Sequence, residues 1–271
     1  VELKALDSGS GPAALLLHGQ PGTAGHWAPV TERLRGRMRV IAPDRPGYGR
    51  TGGRAVGFGE NAAAAVELLD RLEVESAVVA GHSWGAGVAL ALASRFPQRV
   101  SALVLVGAMA PRAQPDLVDR VWAHRRFGPP ATRLGFQMGG FVLSLPIMRR
   151  LTGATTPGLE DQLAATAREW RGGDAWRSFY VEQRALVDEL PALAPELPSI
   201  RTPTIVLAGT WDLISPPSHA RALARSLPNA RLVTAKRAGH LLPQKRPKLV
   251  AEAIAAAGDS GESPWQDLRR R

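Results

Sequence analysis

The sequence predicts an α/β protein in which a mostly parallel central sheet, with helices on both faces, is interrupted by an inserted helical cap. Three observations carry this. Short, wholly apolar runs alternate with helical patterns in the first half of the chain, as parallel strands and their crossover helices do. One such run leads directly through Gly81-His82-Ser83-Trp84-Gly85 into a helical stretch. In the middle, about 80 residues show helical periodicity and no strand, too long a stretch for an ordinary connection, before the strand pattern resumes.

In chain order, Val1 to Ser10 alternates polar and apolar residues like an edge strand. Ala13 to Leu17 is apolar and ends in His18-Gly19, and Arg39 to Ala42 ends at Pro43-Asp44. Ala77 to Ala80 and Ala102 to Val106 follow; runs this apolar suit strands covered on both faces. Helical patterns lie between them, from Trp27 to Leu34, Glu60 to Leu72, and Gly85 to Phe96, where Pro97 ends the helix. Past Met109, a helix from Asp174, its N-cap, to Leu190 places Trp176, Phe179, Tyr180, Leu186, Val187 and Leu190 on one face. Another aligns Leu159, Leu163, Ala167 and Trp170. Strands resume at Thr204 to Ala208 and Arg231 to Thr234, His219 sits in a polar helix start, and a last helix runs from Pro247 to Gly258. The expected organisation is a core of 1–110 and 196–260, a cap of 111–195 and a basic tail of 261–271.

The 271 residues, 45% hydrophobic and 21% charged, have a globular composition. No segment offers the ~20 uninterrupted apolar residues of a membrane-spanning helix. The nearest, Leu134 to Met148, is broken by Gln137, three glycines and Pro146 and reads as a buried or lid segment. The absence of cysteine excludes disulfides, thiolate catalysis and cysteine-bound metals, and fits a cytoplasmic location, with secretion without disulfides as the alternative. The formal charge of +10 comes almost entirely from scattered arginines, many beside acids, without a nucleic-acid recognition motif. A solvated basic surface is the reading, with no nucleic acid as partner. No metal constellation or phosphate loop is present, so no cofactor is expected. The expected partner is a small-molecule substrate, for a monomer or homodimer.

The motif at 81–85 is a G-x-S-x-G sequence, which a chain with 28 glycines meets easily by chance. Its place between a strand and a helix makes it specific, because that is the setting of a nucleophile elbow, where a tight turn leaves no room for side chains two residues before and after the serine. A serine needs a base to take its proton, usually a histidine held by a carboxylate. Of the six histidines, His18 lies in a Gly-Pro turn, His82 inside the elbow is expected to point away from the nucleophile's side, and His124 lies in the insertion. His240, between the last strand and the last helix, occupies a carboxyl-end loop and comes last, as the order Ser…Asp…His requires. Asp212, after a late strand, is the expected carboxylate, with Asp116 and Asp119 as rivals. Oxyanion donors are expected from the N–H groups of Trp84 and of Gln20, since the neighbouring Pro21 has none.

These motifs resemble the α/β-hydrolase superfamily over essentially the whole length: His-Gly-x-Pro at 18–21, Asp-Arg-Pro-Gly-Tyr-Gly at 44–49, the elbow, Gly-x-x-Asp-x-x-x-Pro at 209–216 and Gly-His at 239–240. The resemblance implies Ser83, Asp212 and His240 as a triad, with Gln20 and Trp84 as the oxyanion hole. Haloalkane dehalogenases and epoxide hydrolases need an aspartate where Ser83 stands. Hydroxynitrile lyases carry a lysine where Leu241 stands, and the Gly-Gly-Pro-Gly loop of proline iminopeptidases is broken by Gln20. The expected activity is hydrolysis of carboxylic esters of small to medium apolar substrates. Lactone or carbon–carbon bond hydrolysis, cofactor-free haloperoxidation and aminopeptidase activity use the same triad, and a non-catalytic ligand receptor is the alternative of another class. Trp27, Trp211, Trp176 and Tyr180 are candidates for an apolar pocket, against the plainer reading that they pack the fold. Arg125, Arg126, Arg149 and Arg150 read as surface.

Overall fold

The computed structural model describes residues 1–111, 117–145 and 159–258. Asp116, Arg149, Arg150 and the basic tail lie outside the described residues. By their internal contacts the residues fall into two compact units, Val1–Gln114 with Asp188–Arg271, and Pro115–Val187.

The first unit holds a seven-stranded sheet. Its strands are β1 (Ala5–Ser8), β2 (Ala13–Leu17), β3 (Arg39–Pro43), β4 (Ala77–His82), β5 (Val100–Val106), β6 (Thr204–Gly209) and β7 (Ala230–Ala235), in the order β1-β3-β2-β4-β5-β6-β7. Only β1 is antiparallel, pairing Ala5 with Pro43; the other pairs are parallel, as between Leu17 and Gly81. β4 and β6 are buried at every residue, whereas the edge strands β1 and β7 are largely open. This is why the inner strands read as unbroken apolar runs and the first one alternates.

The unit's helices are α1 (Ala28–Leu34), α2 (Phe58–Arg71), α3 (Trp84–Arg95), α8 (Pro217–Ser226), α9 (Leu242–Lys245) and α10 (Pro247–Gly258). One sheet face, with Leu16, Val40, Val78, Val104 and Ile205, forms a single apolar cluster with Val30 and Leu34 of α1 and Val250 and Ile254 of α10. The alternate strand residues point to the other face, where α3 packs on β4 and β5. Residues 84–93 of α3 are all buried, so the helix is apolar all round.

The second unit contains α4 (Leu117–Ala123), α5 (Gly128–Ser144), α6 (Leu159–Gly172) and α7 (Ala175–Asp188) up to Val187. The insertion is thus shorter than 111–195, because residues 188–195 belong to the first unit. The reason is local: the Glu189 carboxylate accepts a 2.9 Å hydrogen bond from the Phe58 N–H at the start of α2. A carboxylate suits the positive end of a helix. Leu190 and Leu193 beside it are buried. No helix among the described residues is long and apolar enough to cross a membrane.

Candidate active site

In the strand order the chain turns one way from β2 to β3 and the other way to β4. The carboxyl ends of β2 and β4 therefore flank the switch point at which open α/β sheets form their crevice. Ser83 stands there, between β4 and α3, with φ +53° and ψ −120°. A non-glycine residue at positive φ is strained and has to be held by its surroundings. Here its N–H donates to the Val106 carbonyl at the end of β5, at 2.8 Å. The flanking glycines are demanded sterically. A Cβ on Gly81 would lie 2.4 Å from the Gly85 carbonyl oxygen, and one on Gly85 would lie 2.4 Å from that of Leu17. The second clash is with β2, so Gly85 is needed for the helix to approach the neighbouring strand rather than for the turn alone.

Asp212, in the turn after β6, is 2% exposed. Its Oδ1 accepts the N–H groups of Ile214 at 2.9 Å and Ser215 at 2.8 Å, and its Oδ2 accepts Nδ1–H of His240 at 2.8 Å. Burial alone would raise this carboxyl's pKa, but the bonds from His240, Ser215 and Ile214 together with the His240 charge hold it below the usual range. The Ser215 hydroxyl donates to the Ala108 carbonyl at 2.7 Å, tying the Asp212 turn to the end of β5. Gly107, at φ +56°, leaves the space the pair occupies: a Cβ there would lie 3.3 Å from the His240 ring. Residues 106–108 are thus shared neighbours of Ser83, Asp212 and His240.

His82 departs from expectation. Its ring does not point away but lies 5.0 Å, centroid to centroid, from that of His240, and its Nε2–H donates to the His240 carbonyl at 3.0 Å. Burial, then the charge of His240, pulls its pKa down to about 3, so it is neutral. It therefore holds the loop that carries His240 against the elbow. Its position inside the elbow was the available signal; the direction of its ring was not in the sequence.

The loop after β2 lies against the same point. A Cβ on Gly19 would sit 3.1 Å from Cβ of Ser83. Gln20 follows, half-buried, and Trp84 opens α3 with its ring stacked on Phe58 at 4.2 Å. Behind the loop lie two residues not singled out from the sequence for a role there, the buried His18 and Arg45. Their hydrogen bonds run to this loop's main chain.

The pocket candidates separate. Trp27, 1% exposed, belongs to the apolar cluster with α1 and α10 and packs the core rather than lining a pocket. Trp211 is 64% exposed beside Asp212. Trp176 lines a cleft of about 140 Å³ in the second unit, with Trp170, Arg133 and Arg171 among its neighbours. Tyr180 packs on Gly128 at the start of α5. Of the rival carboxylates, Asp119 lies in the second unit and accepts a hydrogen bond from Gln183. Arg125 and Arg126 are exposed. Among the described residues no group of three or more histidines and carboxylates could hold a metal ion.

The chain is 28% identical over 253 residues to 2-hydroxy-6-oxo-2,4-heptadienoate hydrolase of Pseudomonas putida, covering 89% of this chain and 86% of the relative. It is 29% identical to 2-hydroxymuconate semialdehyde hydrolase of a Pseudomonas species, covering 86% and 82%. Among solved structures, a thermophilic esterase from Thermogutta terrifontis matches at 29% identity with a TM-score of 0.73, covering 93% of this chain and 91% of that one. Residues 14–253 match the Alpha/beta hydrolase family as a whole, a span that takes in the elbow, the Asp212 turn and His240. Sheet order, elbow geometry and this match agree: the chain belongs to the alpha/beta hydrolase family.

Proposed function

We propose that the protein is a serine hydrolase that cleaves carboxylic esters of small to medium apolar substrates through an acyl-enzyme. The observation that carries this is the Asp212–His240 hydrogen bond at 2.8 Å, held beside a strained Ser83 by the shared residues 106–108. In this reading Asp212 fixes the His240 tautomer with its proton on Nδ1, which leaves Nε2 to take the Ser83 proton. The Ser83 oxygen attacks the ester carbonyl, and the N–H groups of Gln20 and Trp84 stabilise the oxyanion. His240 then protonates the leaving alcohol. In the second half it takes a proton from the water that attacks the acyl carbon and returns it to the Ser83 oxygen as the Ser83–acyl bond breaks and the acid departs. The esterase from Thermogutta terrifontis supports the choice of an ester.

A second reading is favoured by the Pseudomonas relatives, whose names give a dienoate and a semialdehyde rather than an ester. The same three residues would then serve hydrolysis of a carbon–carbon bond beside a carbonyl. Turnover of p-nitrophenyl esters of increasing acyl length separates the two. Ester hydrolysis with an optimum at short or medium length, reduced about 10⁴-fold or more in Ser83→Ala, is the expected result. Undiminished turnover in Ser83→Ala would end the proposal. Failure on every ester together with turnover of a dienoate ring-cleavage product would replace it with the second reading.

A further inference from the structure

The geometry points to Arg45 as the positioning residue of the oxyanion loop, an assignment that rests on the serine-hydrolase reading above. Arg45 follows β3 and is 1% exposed. Its Nε donates to the His18 carbonyl and its Nη2 to the Gly19 carbonyl, both at 2.9 Å. Its own main-chain N–H donates to Nε2 of His18 at 2.9 Å, which places the imidazole proton on Nδ1, and Nδ1–H donates to the Gly19 carbonyl at 2.9 Å. Burial, then the Arg45 charge, holds the His18 pKa well below its ordinary value and keeps the ring neutral in this role. The guanidinium also lies over the Trp84 ring, 4.4 Å from its centroid.

The consequence lies in one peptide plane. In a trans peptide the C=O and the following N–H point in opposite directions. Two donors, Arg45 Nη2 and His18 Nδ1, grip the Gly19 carbonyl, so the N–H of Gln20 in the same plane is turned away from them. That N–H is the donor proposed for the oxyanion, and the loop passes so near the elbow that a Cβ on Gly19 would lie 3.1 Å from Cβ of Ser83. Through the cation–π contact the same side chain braces Trp84, the residue of the second proposed donor. Arg45 thus registers both halves of the hole against each other. A guanidinium is costly to bury, and an apolar residue of similar volume would fill the space without that cost. Its forked donors, rather than its bulk, explain its presence.

Arg45→Met removes the side-chain donors, while Arg45→Lys keeps a charge without the fork. Both variants and the parent are titrated to end-point with a fluorophosphonate, so that turnover is counted per reactive Ser83. Hydrogen exchange is followed in a peptide spanning residues 18–22. The expected result for Arg45→Met is a fall in kcat per labelled site of about 10²-fold with little change in KM, as for loss of one oxyanion donor. Arg45→Lys is expected to fall between that variant and the parent, and exchange at 18–22 to rise in both. A purely structural role would lower the labelled fraction and leave kcat per labelled site at the parent's value, and that result, or unchanged exchange at 18–22, overturns the assignment. If Arg45→Met does not fold, Arg45→Lys decides by the same readouts. A parent that is not labelled at Ser83 defeats the serine-hydrolase reading and this assignment with it. A labelled parent matched by its variants defeats this assignment alone.

Discussion

Different interactions fix the side chains inside each of the two units. Around the switch point of the sheet, side chains are fixed by hydrogen bonds to main chain: Asp212 to Ile214 and Ser215, His82 to His240, Ser215 to Ala108, and Arg45 to His18 and Gly19. In the helical unit, Trp122 and Phe136 each pack at 5.2 Å on Phe179, and Phe136 also packs on Trp170 at 4.9 Å. Hydrogen bonds set direction, as a site that aligns reacting atoms requires. Ring packing sets volume and tolerates rearrangement. The aromatic residues of the insertion therefore account first for its own interior.

The contrast can be broken at several points. The largest effect is expected from Asp212→Asn, which keeps the shape of the turn but removes the charge and the acceptor that fix the His240 tautomer. Steady-state kinetics on the best ester should show kcat reduced about 10⁴-fold with the fold intact. A reduction of less than about tenfold would mean that the Asp212–His240 bond is structural only. Next comes Phe136→Ala, which empties the centre of the aromatic cluster. It should destabilise the helical unit by about 3–5 kcal/mol in denaturant unfolding, while fluorophosphonate labelling of Ser83 keeps the parent's rate. Slowed labelling would show that the cluster supports the site as well as itself.

A pH series sharpens the same comparison. His82 has a folded pKa of about 3 against the ordinary value of 6.5, so between these values the unfolded chain binds a proton that the folded chain refuses. Stability must then rise with pH across that window and be fully present above about pH 6.5. His18, also lowered, acts in the same direction, and Asp212, whose pKa is lowered too, adds a further loss as the pH falls below about 4. Urea midpoints at pH 4.5 and 7.5, about two units below and one above the histidine value, should show the lower stability at the acid pH, with a smaller difference in His82→Asn. Equal slopes in the two proteins would contradict the burial of His82 as a neutral ring. The smallest effect belongs to Trp211→Ala: an exposed side chain next to Asp212 should alter stability by no more than about 0.5 kcal/mol, and a large change in KM would instead mark it as a substrate contact.

Much of this was legible in the sequence, for physical reasons that differ by element. The inner strands announce themselves because burial on both faces leaves only apolar residues, and β2 begins and ends where its run does. The elbow was legible because Gly81 and Gly85 are steric necessities. Asp212 and His240 followed from chain order, and their hydrogen bond is consistent with that order. The sequence does not encode ring direction, so the turn of His82 toward His240 went unread. Nor does it separate an aromatic that packs from one that binds, and Trp27 proved to be core. The end of the insertion was misplaced because the prolines at 191 and 195 read as its border, whereas Glu189 already belongs to the sheet unit through the N-terminus of α2. Arg45 lies in the Asp-Arg-Pro-Gly-Tyr-Gly segment, but the sequence gives it no role; its burial and its bonds to His18 and Gly19 do.

The proposed mechanism turns on Ser83 as an activated nucleophile. The most direct test is to react the purified chain with a fluorophosphonate and locate the adduct by peptide mass spectrometry. One adduct is expected, on Ser83, absent in Ser83→Ala and formed far more slowly in Asp212→Asn. An adduct on another residue, or none on a folded chain, would contradict it.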